Sequence, residues 1–395
     1  MPVESLEGAN PFLRYRARLD SYQRWIDIGG VDAEFVSTVE NLDDAIGEVE
    51  GHGFLITPVS DQPEMASTAG LPDGAALWVK DETNNVGGSH KARHLFGLLL
   101  HAAVDARSET NSQAELAIAS CGNAALGAAV VAKAAHRRLR VFIPVWADEA
   151  VVNKLDDLGA TIERCERREG ESGDPCYLRF LEAVDRGSAP FSVQGTIVPA
   201  TLDGGRTIGW ELAEQLAIEA GGMARLDVVA VQVGGGALGS SLAAGLRESV
   251  EAGWLAAMPR VSAVQTEACA PLRRAWDLLT SAGSDEQHGD SVSLLWSEPS
   301  RFMWPWDDVG TSVASGILDD VTYDWQPLTE AMLMSGGSPV VVDEATVAAA
   351  NRIGRELTGI DVCPTGTAGL AGLMGGQIRV DRGDEVAVLF TGVRR

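Results

Sequence analysis

Short apolar runs and helical segments alternate along two parts of this sequence. The first part covers 116–162, with strand-like runs at 116–119, 139–144 and 160–162 and helical segments at 123–135 and 149–158. The second covers 228–279, with strand-like runs at 228–233 and 261–264 and helical segments at 238–252 and 271–279. Consecutive strands that are joined through a helix lie parallel. The alternation therefore predicts an α/β fold with two parallel sheets covered by helices, and the turns that follow the strands are where a ligand is expected.

The turn after the strand at 228–233 is rich in glycine. Residues 234–236 are all glycine, and Gly239 completes a GxGxxG pattern at a strand–helix junction. Glycines let a backbone approach a phosphate closely, and the following helix presents the positive end of its dipole. The pattern predicts a phosphate-binding loop. A dinucleotide-binding site is an alternative, because Glu267 lies at the end of the next strand, where dinucleotide-binding enzymes carry the carboxylate that binds the ribose.

Lysine is scarce in this chain. Four lysines are present, at Lys80, Lys91, Lys133 and Lys154. Lys133 falls in a helical segment and Lys154 in a polar stretch, so both are expected to be exposed. Lys80 ends a strand, where an ion pair is expected. Lys91 differs because it follows the small residues 87–89 into an apolar helix. A helix N-terminus disfavours the ammonium form and favours the neutral nucleophile that Schiff-base chemistry needs. The alternative is an ordinary helix start with Ser89 as its N-cap.

A third turn, at 120–124, joins the strand at 116–119 to a helix and reads Ser-Cys-Gly-Asn-Ala. Successive backbone N–H groups at such a turn can hold a carboxylate, with help from the helix dipole. The side-chain amide of Asn123 can also donate to a phenolate oxygen. The alternative is an ordinary strand–helix turn in which Asn123 caps the helix.

In their order along the chain, these motifs resemble those of the fold type II pyridoxal 5'-phosphate enzymes, which include threonine synthase, the threonine and serine dehydratases and the tryptophan synthase β subunit. The matching features are a lysine after Gly-Ser, a later Ser-x-Gly-Asn turn, a triglycine loop and a hydroxyl residue after the last strand. The resemblance covers residues 57–395. It implies a two-domain α/β protein like the tryptophan synthase β subunit, with parallel-sheet-rich domains and the cofactor in the interdomain cleft. The large domain would comprise residues 1–92 and 186–395, and a small α/β domain residues 93–185.

The resemblance also implies roles for individual residues. Lys91 would bind pyridoxal 5'-phosphate as a Schiff base and act as the catalytic base, and Thr391 would face the pyridine nitrogen. The cofactor phosphate would lie near His90, Gly234, Gly235, Gly236, Ala237, Leu238 and Gly239. The substrate carboxylate would be bound by Ser120, Cys121, Gly122, Asn123 and Ala124, of which Asn123 would also contact the cofactor O3'. A hydroxyl at the ring nitrogen leaves the ring largely unprotonated, which favours elimination over transamination.

Within the family, the chain looks most like threonine synthase, through residues 207–211 and 311–316 and the terminal Thr391-Gly392. It departs from that enzyme at 192–196, after which threonine synthases supply an arginine for the substrate phosphate, whereas here Arg206 lies several residues later. The resemblance therefore implies an amino-acid lyase of the ammonia-lyase or dehydratase type, which catalyses α,β-elimination on a neutral or carboxylate-bearing β-substituted amino acid. A threonine synthase-like replacement enzyme, a NAD-dependent dehydrogenase and a non-catalytic cofactor-binding protein are the alternatives.

Charge and composition narrow the expected partners. A formal net charge of -25 excludes nucleic acid, because binding to the phosphate backbone needs lysine and arginine. The longest apolar runs are too short to span a bilayer and the N-terminus has no signal-like core, so a cytoplasmic protein without a membrane partner is expected. The five cysteines form no pattern typical of a zinc site, so no metal is expected. A small amino-acid substrate and, by analogy with the family, a second copy in a homodimer are the expected partners.

Overall fold

The computed structural model of the chain describes residues 6, 8–107, 114–171, 173–283 and 288–395. Contacts within the chain divide it into two compact units. The larger unit consists of Thr57–Asn84 and Ile208–Arg395, and the smaller unit of Leu6–Ile56 and Asn85–Thr207. In this described part of the chain, no helix combines the length and the apolar character that crossing a membrane requires.

The larger unit is built on a six-stranded sheet in the order β1-β2-β10-β7-β8-β9, in which β1 is antiparallel to β2 and the other neighbours are parallel. Its strands, numbered along the whole chain, are β1 (Val59–Asp61), β2 (Ala76–Asp81), β7 (Val228–Gln232), β8 (Arg260–Thr266), β9 (Pro339–Val342) and β10 (Glu385–Phe390). Its helices are α4 (Pro63–Thr68), α10 (Thr207–Glu219), α11 (Ala237–Glu251), α12 (Pro271–Ala282), α13 (His288–Ser297), α14 (Trp325–Ser335), α15 (Glu344–Thr358) and α16 (Ala368–Met374).

Helices cover both faces of this sheet, as the apolar composition of its central strands predicts. Alternate residues of β7 enter two different apolar clusters. Val229 and Val231 pack with residues of α10 and α11, and Val228 and Ala230 pack with residues of α15 and α16. Because every residue of β7 is buried, the carboxyl end of this strand is held in a fixed position.

The smaller unit contains a four-stranded, fully parallel sheet in the order β5-β4-β3-β6. Its strands are β3 (Leu116–Ala119), β4 (Leu139–Pro144), β5 (Thr161–Cys165) and β6 (Ala189–Pro190). Its helices are α1 (Pro11–Arg14), α2 (Asp20–Asp27), α3 (Asp32–Glu50), α5 (Lys91–Arg107), α6 (Asn123–Ala134), α7 (Glu149–Asp157), α8 (Pro175–Asp185) and α9 (Thr201–Gly205). The two sheets, one fully parallel and one parallel except for β1, carry helical layers and confirm the α/β prediction.

The boundaries of the two units differ from the predicted domain boundaries. Residues 6–56 cluster with the smaller unit, because Phe12, Phe54 and Phe96 form one aromatic group with ring centroids 4.6 to 5.0 Å apart. Residues 186–207 also cluster with the smaller unit. Strand β6 pairs with β3, and a Cβ atom built on Gly97 of α5 would lie 2.9 Å from the Cα atom of Gly204 in α9. These tertiary contacts leave no local trace in the sequence.

Candidate active site

The carboxyl ends of three adjacent parallel strands meet at one edge of the larger sheet. Strand β10 lies between β2 and β7, and it pairs with β7 from Val386 opposite Val228 onward. Thr391 follows β10 directly, and the glycine loop at 234–236 follows β7. Two of the sequence-predicted features therefore lie at neighbouring strand ends, the position where open parallel sheets bind ligands.

The glycine loop is closely covered by the segment 317–324. A Cβ atom on Gly234 would lie 2.9 Å from the Cα atom of Ile317 and would also clash with the carboxylate of Asp319. Gly236 is the N-cap of α11 and has φ +97°, in the left-handed region that favours glycine. Glycines are thus required at both positions. The sequence analysis gave no role to 317–324, which carries no recognisable motif.

Gly234→Ala is expected to destabilise the protein by about 1–3 kcal/mol, because the new methyl group meets backbone that cannot move away without disturbing the loop. The measurement is chemical or thermal unfolding of the purified variant. Gly222→Ala is the matched control, since no described atom other than its chain neighbours lies within 4 Å of a Cβ built there. Equal stability of the two variants would contradict the close approach of segment 317–324.

Thr391 is buried, with 3% exposure, and its hydroxyl contacts the side chain of Gln232 at the end of β7. The Nε2 atom of Gln232 lies 2.5 Å from Thr391 Oγ1, 3.1 Å from the carbonyl oxygen of Gly366 and 3.2 Å from that of Leu389. The sequence analysis missed Gln232. Its signal was a polar side chain in the otherwise apolar run 228–233, where a buried parallel strand normally carries none.

Lys91 lies in the smaller unit as the first residue of α5, and it is partly exposed. The loop before it is tight, with Gly87 at φ +66° and Gly88 at φ +69°. Ser89 Oγ lies 3.4 Å from the backbone nitrogen of Lys91, a long contact for a helix cap. His90 is buried, and its ring lies 5.9 Å from that of His94 in an edge-on arrangement.

The start of α5 packs alongside the first turns of α6. A Cβ atom on Gly87 would lie 3.1 Å from the Cα atom of Gly127, and one on Gly127 would lie 3.4 Å from the backbone nitrogen of Ala92. Helix α6 begins at Asn123, one turn before Gly127. The structure therefore brings Lys91 and the turn at 120–124 into one region of the smaller unit.

The turn at 120–124 is shaped by β3 and α6. The backbone nitrogen of Ser120 donates to the carbonyl oxygen of Phe142 at 3.2 Å, which continues the pairing of β3 with β4. Gly122 is the N-cap of α6, and Asn123 is already inside the helix, so Asn123 does not cap it. Burial, and then the nearby carboxylate of Asp174, raise the pKa of the Cys121 thiol. The thiol is therefore neutral near pH 7 and adds no negative charge at the helix N-terminus.

Arg206 is held by carboxylates of the smaller unit. Its guanidinium lies 2.5 Å from Asp203 and 2.8 Å from Asp20. Burial would raise the pKa of Asp203, but the hydrogen bond from His101 and the charge of Arg206 lower that pKa to about 2. Asp203 also accepts hydrogen bonds from the backbone nitrogens of Asp20 and Ser21 at the start of α2. Arg206 is thus part of a structural network that fixes α2.

The three other lysines agree with the sequence interpretation. Lys133 and Lys154 are exposed on α6 and α7. Lys80 is fully buried on β2 and pairs with Glu211 at 2.7 Å. Glu267, the candidate ribose carboxylate, follows β8 and is exposed. Within the described ranges, no three His, Cys, Asp or Glu side chains lie close enough together to hold a metal ion.

A comparison with known proteins identifies the family of this chain. The family model described as "Pyridoxal-phosphate dependent enzyme" matches residues 52–392. The L-serine dehydratase of Saccharomyces cerevisiae (strain YJM789) is 28% identical over 201 residues, which cover 50% of this chain and 58% of the dehydratase. The matched region thus spans little more than half the length of that relative.

Solved structures share the fold over most of their length. The threonine deaminase of T.th. aligns with a TM-score of 0.65 and 21% identity, covering 90% of this chain and 98% of that one. Maize serine racemase aligns with a TM-score of 0.63 and 18% identity, covering 90% of this chain and 92% of that one. At these identities the likeness shows the fold and leaves the reaction open.

Proposed function

Because this chain belongs to the family of pyridoxal-phosphate dependent enzymes, we propose that it is an amino-acid lyase that catalyses α,β-elimination. Its cofactor is pyridoxal 5'-phosphate, so the glycine pattern at 234–239 is not a dinucleotide fingerprint. The observation that carries the proposal is the buried Thr391 beside the glycine loop, because a neutral hydroxyl at the ring nitrogen favours elimination. The partial similarity to a serine dehydratase supports the same reaction class.

The described residues fit this cofactor. The loop at 234–236 and the N-terminus of α11 offer backbone N–H groups and the positive end of a helix dipole to a phosphate. Only glycine is accommodated at Gly234 and Gly236. Thr391 would offer a hydroxyl to the pyridine nitrogen, and Lys91 would offer its amine to the aldehyde carbon. When bound, the cofactor withdraws electrons from the α carbon of the substrate and so weakens its C–H bond.

The residues of the chain would then bind the substrate and move its proton. Backbone N–H groups at 120–124 would hold the substrate carboxylate at the start of α6, and the Asn123 amide would donate to the phenolic oxygen of the cofactor. The amine of Lys91 would remove the α proton. The electrons of that C–H bond would form a double bond between the α and β carbons, and the β substituent would leave with the electron pair of its own bond. The released enamine would react with water to give a 2-oxo acid and ammonia.

We further propose that the substrate carries a neutral or carboxylate-bearing β substituent rather than a phosphate ester. A phosphate dianion needs nearby cations or several N–H donors to offset the loss of its hydration. Residues 194–200 contain no basic side chain. The next arginine, Arg206, already contacts Asp203 and Asp20. Releasing it would leave the buried carboxylate of Asp203 without that partner, which favours the structural role of this arginine.

The test is a panel of serine, threonine, diaminopropionate and O-phosphohomoserine, assayed for 2-oxo acid, ammonia and threonine. We expect one of the first three to give 2-oxo acid with a kcat/KM roughly tenfold to a hundredfold above that for the phosphate ester, the factor for a missing charged hydrogen bond. Threonine formation from O-phosphohomoserine as the fastest reaction would restore the threonine synthase alternative. Cofactor binding without turnover of any amino acid would favour a non-catalytic binding protein.

A further inference from the structure

We infer that Gln232 is a positioning residue that directs the hydroxyl proton of Thr391 toward the pyridine nitrogen of the cofactor. The inference rests on the proposed function, in which Thr391 is the partner of that nitrogen. It concerns a residue that no motif in the sequence singles out. Gln232 is the last residue of β7 and is 3% exposed.

The first step is the orientation of the Gln232 amide. The Nε2 position faces the carbonyl oxygens of Gly366 and Leu389 at 3.1 and 3.2 Å. Carbonyl oxygens only accept hydrogen bonds, so this position must be the NH₂ group. Rotating the amide would place its oxygen against those two oxygens and against Thr391. The assignment therefore does not depend on distinguishing nitrogen from oxygen in the side chain.

The second step concerns the hydroxyl of Thr391. An amide NH₂ group donates and cannot accept, so the contact of 2.5 Å between Gln232 Nε2 and Thr391 Oγ1 excludes a hydrogen bond from Thr391 to Gln232. The NH₂ group also contacts the carbonyl oxygens of Gly366 and Leu389, so its two hydrogens are shared among three acceptors. The Thr391 hydroxyl must therefore donate its proton to a group other than Gln232. An unprotonated pyridine nitrogen needs such a donor.

The third step is the disadvantage of this arrangement for stability. The Oε1 atom of Gln232 is buried and has no hydrogen-bond partner in the described part of the chain. It lies beside Gly369, where a Cβ atom would come within 3.1 Å of it. A buried polar atom without a partner destabilises the folded state, and an apolar residue would suit this strand better. A role in orienting Thr391 accounts for a glutamine at this position.

The experiment uses holoenzyme reconstituted with cofactor labelled with ¹⁵N at the ring nitrogen. In Gln232→Met, no amide donates to the Thr391 hydroxyl oxygen, so the orientation of the hydroxyl proton is no longer fixed from the side of β7. We expect the ¹⁵N resonance to move toward that of a nitrogen without a hydrogen bond, and the cofactor to bind roughly three- to tenfold more weakly, as for one lost hydrogen bond. Gln232→Leu serves in the same role should Gln232→Met not yield folded protein.

Two further variants separate the possible failures. Thr391→Val removes the hydroxyl and should shift the ¹⁵N resonance as Gln232→Met does, and adding Gln232→Met to it should cause no further shift. Gln377→Met is the control, because the Gln377 amide also donates to a backbone carbonyl oxygen, that of Val341 on β9 at 2.7 Å, and its loss should leave the resonance in place. A shift of the resonance in Thr391→Val but not in Gln232→Met would contradict the role of Gln232 and leave the assignment of Thr391 unchanged. No shift in Thr391→Val would overturn the assignment of Thr391 as well, whatever the reaction assays show.

Discussion

Lys91→Ala is expected to abolish both turnover and the visible absorption band of the lysine-bound cofactor. The substitution removes the only proposed covalent partner of the cofactor aldehyde and the only proposed base for the α proton. Loss of a positioned base alone typically lowers kcat by about 10²–10⁴-fold. Because Lys91 is partly exposed at the first position of α5, the alanine variant should still fold. Absorption spectra and steady-state assays of the same preparation measure both effects.

Lys154→Ala is the matched control for this prediction. Lys154 is also a helical lysine, but it lies exposed on α7 and has no proposed role. Its variant should keep the absorption band and the kcat of the parent protein. Turnover by Lys91→Ala without the band would show that the lysine does not anchor the cofactor. If Lys91→Ala kept both the absorption band and turnover, the site proposed around Lys91 in the smaller unit would be wrong.

Sequence periodicity predicts this fold well where the pattern is local. The strand β3 at 116–119 and the strand β4 at 139–144 are placed as predicted. Each is a run of mainly apolar residues between a turn and a helix, and each is largely buried. The glycine loop is also placed correctly. A positive φ at Gly236 and a close backbone contact at Gly234 are properties that only glycine accommodates.

Contacts between distant segments are what the sequence could not predict. Phe12, Phe54 and Phe96 meet in one group although they belong to three separate segments, and this group assigns the N-terminal helices to the smaller unit. Helix α5 begins at Lys91, directly after the tight turn at 87–88. An aromatic residue carries no local signal of its partner. Such assignments require the tertiary structure.

In the candidate site, too, residues in local motifs could be predicted from the sequence, and residues whose role depends on distant contacts could not. Lys91 and the turn at 120–124 stand at the starts of helices, and Thr391 directly follows a strand, so motif reasoning applies to all three. Gln232 was missed because its role depends on a neighbouring strand that lies far away in sequence. Arg206 could be proposed for two roles from the sequence, and only its contacts with Asp203 and Asp20 favour the structural one.

Lys80→Met is expected to destabilise the protein by about 3–5 kcal/mol, the effect of removing one partner from a buried ion pair. Lys80 Nζ donates to Glu211 Oε2 at 2.7 Å, to the carbonyl oxygen of Thr57 at 2.7 Å and to Gln215 Oε1 at 2.9 Å. The side chains of Lys80 and Glu211 are both 0% exposed. Without the lysine, the buried carboxylate of Glu211 would lose the ammonium group of Lys80 and keep the hydrogen bonds from Thr57. Denaturant-induced unfolding measures the loss.

The pair itself need not stabilise the fold, and a double variant separates the two effects. Replacing both charges, as in Lys80→Met with Glu211→Leu, removes the uncompensated charge and should recover most of the lost stability, because apolar pairs of similar volume often replace buried ion pairs without loss. Arg352→Met is the control, since Arg352 and Glu356 form an exposed pair on α15 whose loss should change stability by about 0.5 kcal/mol or less. If Lys80→Met lost as little stability as Arg352→Met, the ion pair between Lys80 on β2 and Glu211 on α10 would contribute little to the packing of these two elements.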